Sequence, residues 1–96
     1  MKKINVEHFE QPGDSGVVLR VPGRHFPGYL IPGDALHALL QEAHVLTSRS
    51  MQGDDATLTD QCRRLETKIN HMMKSYEAAL ISEGEALPYS KQLWEI

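Results

Sequence analysis

The first third of the chain carries four Pro-Gly dipeptides, Pro12-Gly13, Pro22-Gly23, Pro27-Gly28 and Pro32-Gly33, and the last three recur every five residues through VPGRHFPGYLIPGD. Proline presets φ near the value needed at the second position of a tight turn. The glycine after it supplies the positive φ that a type II turn demands at the third. Three such dipeptides in succession predict a compact, built loop. Its polar residues are few and concentrated, Arg24, His25 and Asp34, and the aromatic Phe26 and Tyr29 stand among them. Loops fixed to a scaffold are where binding residues concentrate, so these five are the first candidates for a recognition surface.

The rest of the chain sets limits on what such a loop can serve. Ninety-six residues make one domain, near the lower end of sizes that bury an adequate core. That size leaves room for a ligand groove more readily than for a deep catalytic cavity with its own lid. Ten Lys and Arg stand against thirteen Asp and Glu, and the imbalance lies wholly in residues 35–96, with six basic and nine acidic side chains. Neutralising a phosphate backbone needs a clustered basic face, so this balance disfavours nucleic acid as a partner. The single Cys62 forms no internal disulfide, Met1-Lys2-Lys3 leads into no secretory apolar run, and no stretch approaches the roughly 20 apolar residues of a membrane span. The expectation is a cytosolic protein.

Local patterns give an α+β fold: a small antiparallel sheet of two or three strands over 1–33, a helical hairpin over 34–84, and an apolar tail over 85–96. Ile4, Val6 and Phe9 alternate imperfectly with polar residues, which fits a strand with one wet face. After a turn at Gln11–Gly16, Val17–Val21 is the clearest strand, rich in β-branched residues and closed by Pro22. Tyr29–Ile31 allows a short third strand. Asp34 then stands as a helix N-cap. A first helix is expected over about 35–49, with Leu36, Leu39, Leu40, Ala43 and Leu46 on one face. Gln52-Gly53-Asp54-Asp55 breaks the pattern, and Thr57 with Asp60 forms a capping box for a longer second helix. Gly84 supplies its C-cap and Pro88 prevents continuation.

Leu58, Cys62, Leu65, Ile69, Met72, Tyr76 and Ala79 step alternately by four and three along that second helix. This is the heptad spacing of a helix packed lengthwise on another. One reading packs the stripe on the first helix and the sheet. The other lets helix 57–83, the longer of the two, run past its partner and form a homodimer or partner interface, to which the adaptable Met72-Met73 pair would contribute.

Candidates for chemistry are few. Cys62, beside Arg63 and Arg64, has the setting of a lowered thiol pKa, but a cysteine on an apolar stripe is ordinarily a small buried hydrophobe. His37 and His44 lie two turns apart, about 10 Å along a helix, too far to share one metal ion, and no Cys pair or His-Glu-x-x-His motif is present. No metal and no cofactor is expected. Arg24 pairs either with Asp34 or with an anionic ligand at the first helix N-terminus, where Asp34 would oppose the anion. In the tail, the only tryptophan, Trp94, stands between Leu93 and Ile96. Such a segment either docks on the body of the protein or is presented to a partner as a hot spot.

The segment Val18–Leu36, through Arg20-Val21-Pro22-Gly23-Arg24-His25-Phe26-Pro27-Gly28 to Gly33-Asp34, resembles a small, functionally uncharacterised bacterial family. Its members share an Arg-x-Pro-Gly-Arg-x-Phe-Pro-Gly core, and Ala86-Leu87-Pro88-Tyr89 resembles the end of its helical half. Pro32 and Ala35 depart from the pattern, which has glutamine at the first position and a hydroxyl residue at the second. The resemblance implies no activity. Small acidic proteins of this kind often stand beside bacterial toxins as immunity factors.

These readings converge on a non-enzymatic protein-binding module, in its most specific form an immunity-type inhibitor of a basic toxin domain. Its candidate contacts are Arg24, His25, Phe26, Tyr29 and Asp34 in the loop, Asp54 and Asp55 on the acidic helical side, and Trp94 in the tail. The alternative is a small-ligand or anion sensor that dimerises through the second helix.

Overall fold

A computed structural model describes residues 2–9 and 17–95. The turn expected at Gln11–Gly16, with its Pro12-Gly13 pair, and the terminal Ile96 lie outside the described residues. The fold is α+β: β1 (Glu7–Phe9), β2 (Val17–Arg20), β3 (Gly28–Leu30), α1 (Gly33–Ser50) and α2 (Ala56–Ser82). The chain divides into two compact units, Met1–Pro32 and Gly33–Ile96.

The first unit is an antiparallel meander in the order β1-β2-β3. Glu7 stands opposite Arg20 and Phe9 opposite Val18, while Val18 faces Tyr29 and Val17 faces Leu30. Because side chains alternate across a strand, Glu7, Phe9, Val18, Arg20 and Tyr29 share one face of the sheet, and His8, Val17, Leu19 and Leu30 share the other. The first face is polar in use: Arg20 Nε lies 3.6 Å from Glu7 Oε2, and its guanidinium sits 5.3 Å from the centre of the Phe9 ring. None of the described residues of this unit is buried. Strand β1 is shorter than its hydrophobic pattern predicts, and Ile4 and Val6 lie exposed ahead of it.

Only one of the three described Pro-Gly pairs makes the expected turn. Gly23 has φ +85°, and the Arg24 N–H donates to the Val21 carbonyl at 3.1 Å, which is the type II geometry with Pro22 at its second position. Gly28 instead opens β3 and Gly33 opens α1, and neither has positive φ. In these two pairs the proline ends what precedes it, and the glycine begins the next element.

The second unit holds the core. Leu36, Leu40 and Ala43 of α1 pack with Ile69 and Met73 of α2, and Leu40 and Met73 are sealed completely. Gly33 is buried here for a steric reason, since a Cβ at that position would overlap the ring of Tyr76. At the other end, the Thr59 hydroxyl donates to the Ser50 carbonyl at 3.0 Å and ties the start of α2 to the end of α1.

Both helix starts differ from expectation. Helix α1 begins at Gly33, so Asp34 lies within its first turn, where its charge favours the helix dipole, and does not cap it. Helix α2 is capped by Asp55, whose carboxylate accepts from the Leu58 N–H at 3.0 Å, and not by a Thr57–Asp60 box. The end of α2 is as expected. Gly84 takes φ +72°, its N–H donates to Ile81 and that of Glu85 to Leu80, the paired bonds of a Schellman motif.

The buried stripes are rotated from the ones the leucines mark. On α1 the inward residues are Leu36, His37, Leu40, Ala43 and Thr47, while Leu39 and Leu46 are exposed. On α2 Ile69, Met73 and Glu77 are buried, with Cys62, Glu66 and Tyr76 half-buried, while Leu58, Leu65, Met72 and Ala79 face outward. The heptad positions Cys62, Ile69 and Tyr76 are as expected. Their companions lie one residue later than the leucine pattern indicates, at Glu66 and Met73.

Candidate functional site

Two places in the molecule concentrate polar chemistry, one in each unit. In the first, the type II turn at Pro22-Gly23 sets Arg24 at the start of a short irregular loop that β3 closes. His25 and Phe26 meet edge to face, their ring centres 4.7 Å apart at 75°. Phe26 is 78% exposed and Tyr29, on β3, 57%. An aromatic ring that stays this exposed while a proline fixes its backbone on the C-terminal side covers no core of its own. Beside the turn lies an open cavity of about 400 Å³ whose wall includes Glu7, Arg20, Arg24 and the Pro22-Gly23 turn. Arg20 Nε is buried there, and Glu7 is too far from it for a hydrogen bond.

The second place is formed by the tail. After Gly84 the chain turns back and places Tyr89 flat on the ring of His37 and Trp94 flat on the ring of His44, each pair 3.9 Å apart and 8° from parallel. The seven-residue spacing that rules out a shared metal gives these two histidines one helix face, and the tail lies along it. Each imidazole also has its own carboxylate. His37 Nε2 is 2.7 Å from Glu95 Oε1, with both side chains almost fully buried, and His44 Nδ1 is 3.0 Å from Glu66 Oε2. Glu95 Oε2 in turn accepts from the Gln92 N–H, which closes the last turn of the tail on itself.

Glu77 anchors the other end of this network. It accepts from the Tyr89 hydroxyl at 2.7 Å and from Lys91 Nζ at 3.3 Å, and Lys74 lies 4.0 Å away. Burial pushes the Glu77 carboxyl upward, but the Tyr89 hydroxyl and the Lys91 ammonium outweigh it, and the group titrates below its ordinary range. Burial and the Glu77 carboxylate push the Tyr89 phenol in the opposite direction, well above its usual value. This cluster is closed and internally satisfied. Its chemistry holds the tail against the helices.

The candidates read from the sequence are thus divided. Arg24, His25, Phe26 and Tyr29 stand together in the first unit, exposed. Asp34 lies in the first turn of α1, whereas Asp54 and Asp55 lie beyond its far end, about 27 Å away along an 18-residue helix. Asp55 is occupied as a cap. Asp54 lies in an open cavity at the interhelical turn with Asp60 and Arg63, and Asp60 is paired with Arg64 at 3.0 Å. Trp94 is half-buried on His44 and packs against the core, while its neighbour Leu93, expected to dock with it, is fully exposed. Cys62 is half-buried on the inner side of α2.

Sequence reasoning weighed His37 only as a metal ligand and missed Glu77, Tyr89 and Glu95 as its companions in the tail network. The available signal was the seven-residue match between His37 and His44 together with the aromatic spacing in the tail. Among the described residues no three His, Cys, Asp or Glu side chains are placed to share a metal ion, and no helix is long and apolar enough to cross a membrane.

The model of a family of unknown function, DUF6959, matches residues 1–89 of the chain. No curated protein and no solved structure matches it.

Proposed function

We propose, for a chain that belongs to DUF6959 and takes no assigned activity from that family, a non-enzymatic protein-binding role in which the Pro-Gly loop is the recognition element. The observation that carries this reading is the exposure of Phe26 and Tyr29 beside Arg24 and His25 on a loop pinned by a type II turn, in a unit none of whose described residues is buried. Aromatic and arginine side chains are the groups that most often dominate binding energy when a partner desolvates them. Pinning the backbone beforehand lowers the ordering cost of that step. In its most specific form the protein is a bacterial immunity-type inhibitor that occludes a toxin. The formal net charge of −3 then speeds encounter with a basic partner domain without adding contacts.

The test is capture from the source cell with the wild-type chain and with an Arg24→Ala, Phe26→Ala variant of equal melting temperature, followed by titration of the purified captured protein. The reading expects one stoichiometric partner, lost with the variant. Its encounter rate should fall as salt rises, and its toxicity when expressed alone should be relieved by co-expression of this chain. Equal binding by the variant would remove the loop from the account.

A second reading has an observation of its own. Arg20 and Arg24 line one cavity, and Arg20 Nε is buried there without a hydrogen-bond partner, which suits a small anion. A melting temperature raised by millimolar phosphate, and not raised in Arg24→Ala, would favour it.

A further inference from the structure

The helical hairpin has two faces, and the tail closes only one. Tyr89 and Trp94 cover the side that carries His37 and His44 on α1 and Glu66 and Glu77 on α2. At about 100° per residue, Leu39 and Leu46 lie on the flank of α1 away from the two histidines, and Leu58, Leu65 and Met72 on the flank of α2 away from Lys74 and Glu77. For two antiparallel helices these flanks belong to the same side of the hairpin. The five side chains are exposed by 42%, 54%, 48%, 52% and 48% in that order. The seven-residue spacing keeps each set in a straight row, as in a helix seam that has a partner.

The register across the hairpin is set by the His44–Glu66 and Ser50–Thr59 contacts. It brings Leu39 level with Met72, Leu46 level with Leu65, and Glu42 level with Lys68. Glu42 and Lys68 are exposed and lie just outside the apolar rows, on opposite edges of the face. They carry opposite charges at matching heights, so the face is complementary to itself.

We propose that this face is closed by a second copy of the chain, giving a four-helix bundle whose two-fold axis runs along the helices between two stacked hairpins. In that arrangement α1 of each copy lies over α2 of the other and antiparallel to it. Leu39 and Leu46 of one copy then meet Met72 and Leu65 of the second, and Glu42 faces Lys68 of the second copy twice per dimer. A two-fold interface must be self-complementary in this way. The assignment goes beyond the loop reading and does not depend on it, since the residues involved lie on α1 and α2.

The test is sedimentation equilibrium of the full chain across micromolar concentrations, with helix content followed by circular dichroism. The wild type is expected to sediment as two copies, and a Leu46→Glu, Leu65→Glu variant as one copy with its helices intact. Should that variant lose its helices, the charge swaps decide independently. Glu42→Lys alone and Lys68→Glu alone each place like charges across the dimer twice and should weaken it about 3- to 10-fold, given the modest strength of exposed pairs, and the double swap should restore the wild-type value. A wild type that remains monomeric overturns the proposal. So does a folded leucine variant that still dimerises, or a double swap no tighter than either single one.

Discussion

The two units of this protein distribute burial in opposite ways. Residues 33–95 enclose a core of five apolar side chains and extend it with a buried polar network, in which His37, Glu77 and Glu95 each find a partner. Residues 2–9 and 17–32 form a regular three-stranded sheet with its ladder in place, yet none of them is buried. The hydrogen-bonded ladder is therefore not a measure of stability. Ladder bonds replace bonds to water at small net gain, whereas apolar burial supplies the main driving force. The contrast teaches that the helical unit pays for folding, and that the loop in the sheet unit is free to carry side chains chosen for something else.

The largest effect that could break this contrast is in the core. Leu40→Ala removes a fully buried side chain and should cost about 2–5 kcal/mol in denaturant unfolding. A value well under 1 kcal/mol would mean that the helical unit is not where stability lies. Next is Tyr89→Phe, which leaves the buried Glu77 carboxylate with one donor fewer and should cost about 1–3 kcal/mol.

The same pair gives a pH dependence with two signs. Glu77 titrates below its ordinary range when folded, so its contribution is present above that range and is lost as the pH falls through the folded value. Tyr89 titrates above its usual value of about 10, so its contribution is intact below that pH and is lost as the pH rises beyond it. Thermal melts should weaken at both extremes, and Tyr89→Phe should flatten the alkaline limb. Smaller still is Asp55→Ala, about 1 kcal/mol for a lost cap. Smallest is Phe26→Ala, expected to change stability by less than about 0.5 kcal/mol while removing partner binding. That separation of stability from binding sharpens the contrast more than any other single variant.

Much of the architecture was legible because it depends on local chemistry. The β-branched run at Val17–Val21 made a strand, the acidic and glycine-rich break after Gln52 separated two helices, and Gly84 ended the second. The misreadings share a cause. Asp34 and Asp55 are equally good caps in isolation, but α1 begins at Gly33, two residues before the start an Asp34 cap would give, where Gly33 packs under the ring of Tyr76. The heptad pattern followed the leucines, but α2 turns Glu66 and Glu77 inward because the tail and α1 supply His44, Tyr89 and Lys91 as partners. A carboxylate counts as an interior residue once its partners are known, and those partners lie 12 to 22 residues away. The candidate loop was legible as a location, from its Pro-Gly pairs. That Gly23 alone among the described Pro-Gly pairs adopts the turn geometry was not, since proline before glycine also serves to open a strand or a helix.

Native-state hydrogen exchange of the full chain tests the division between the units most directly. The account predicts that amides around Leu40, Ala43, Ile69 and Met73 exchange only through global unfolding, whereas those of β2 and β3, at Val18, Leu19 and Tyr29, exchange through local opening at much lower free energy. Equal protection of the strands and the helices would contradict it, because the sheet would then share in the cooperative core and its exposed loop could not vary independently of the fold.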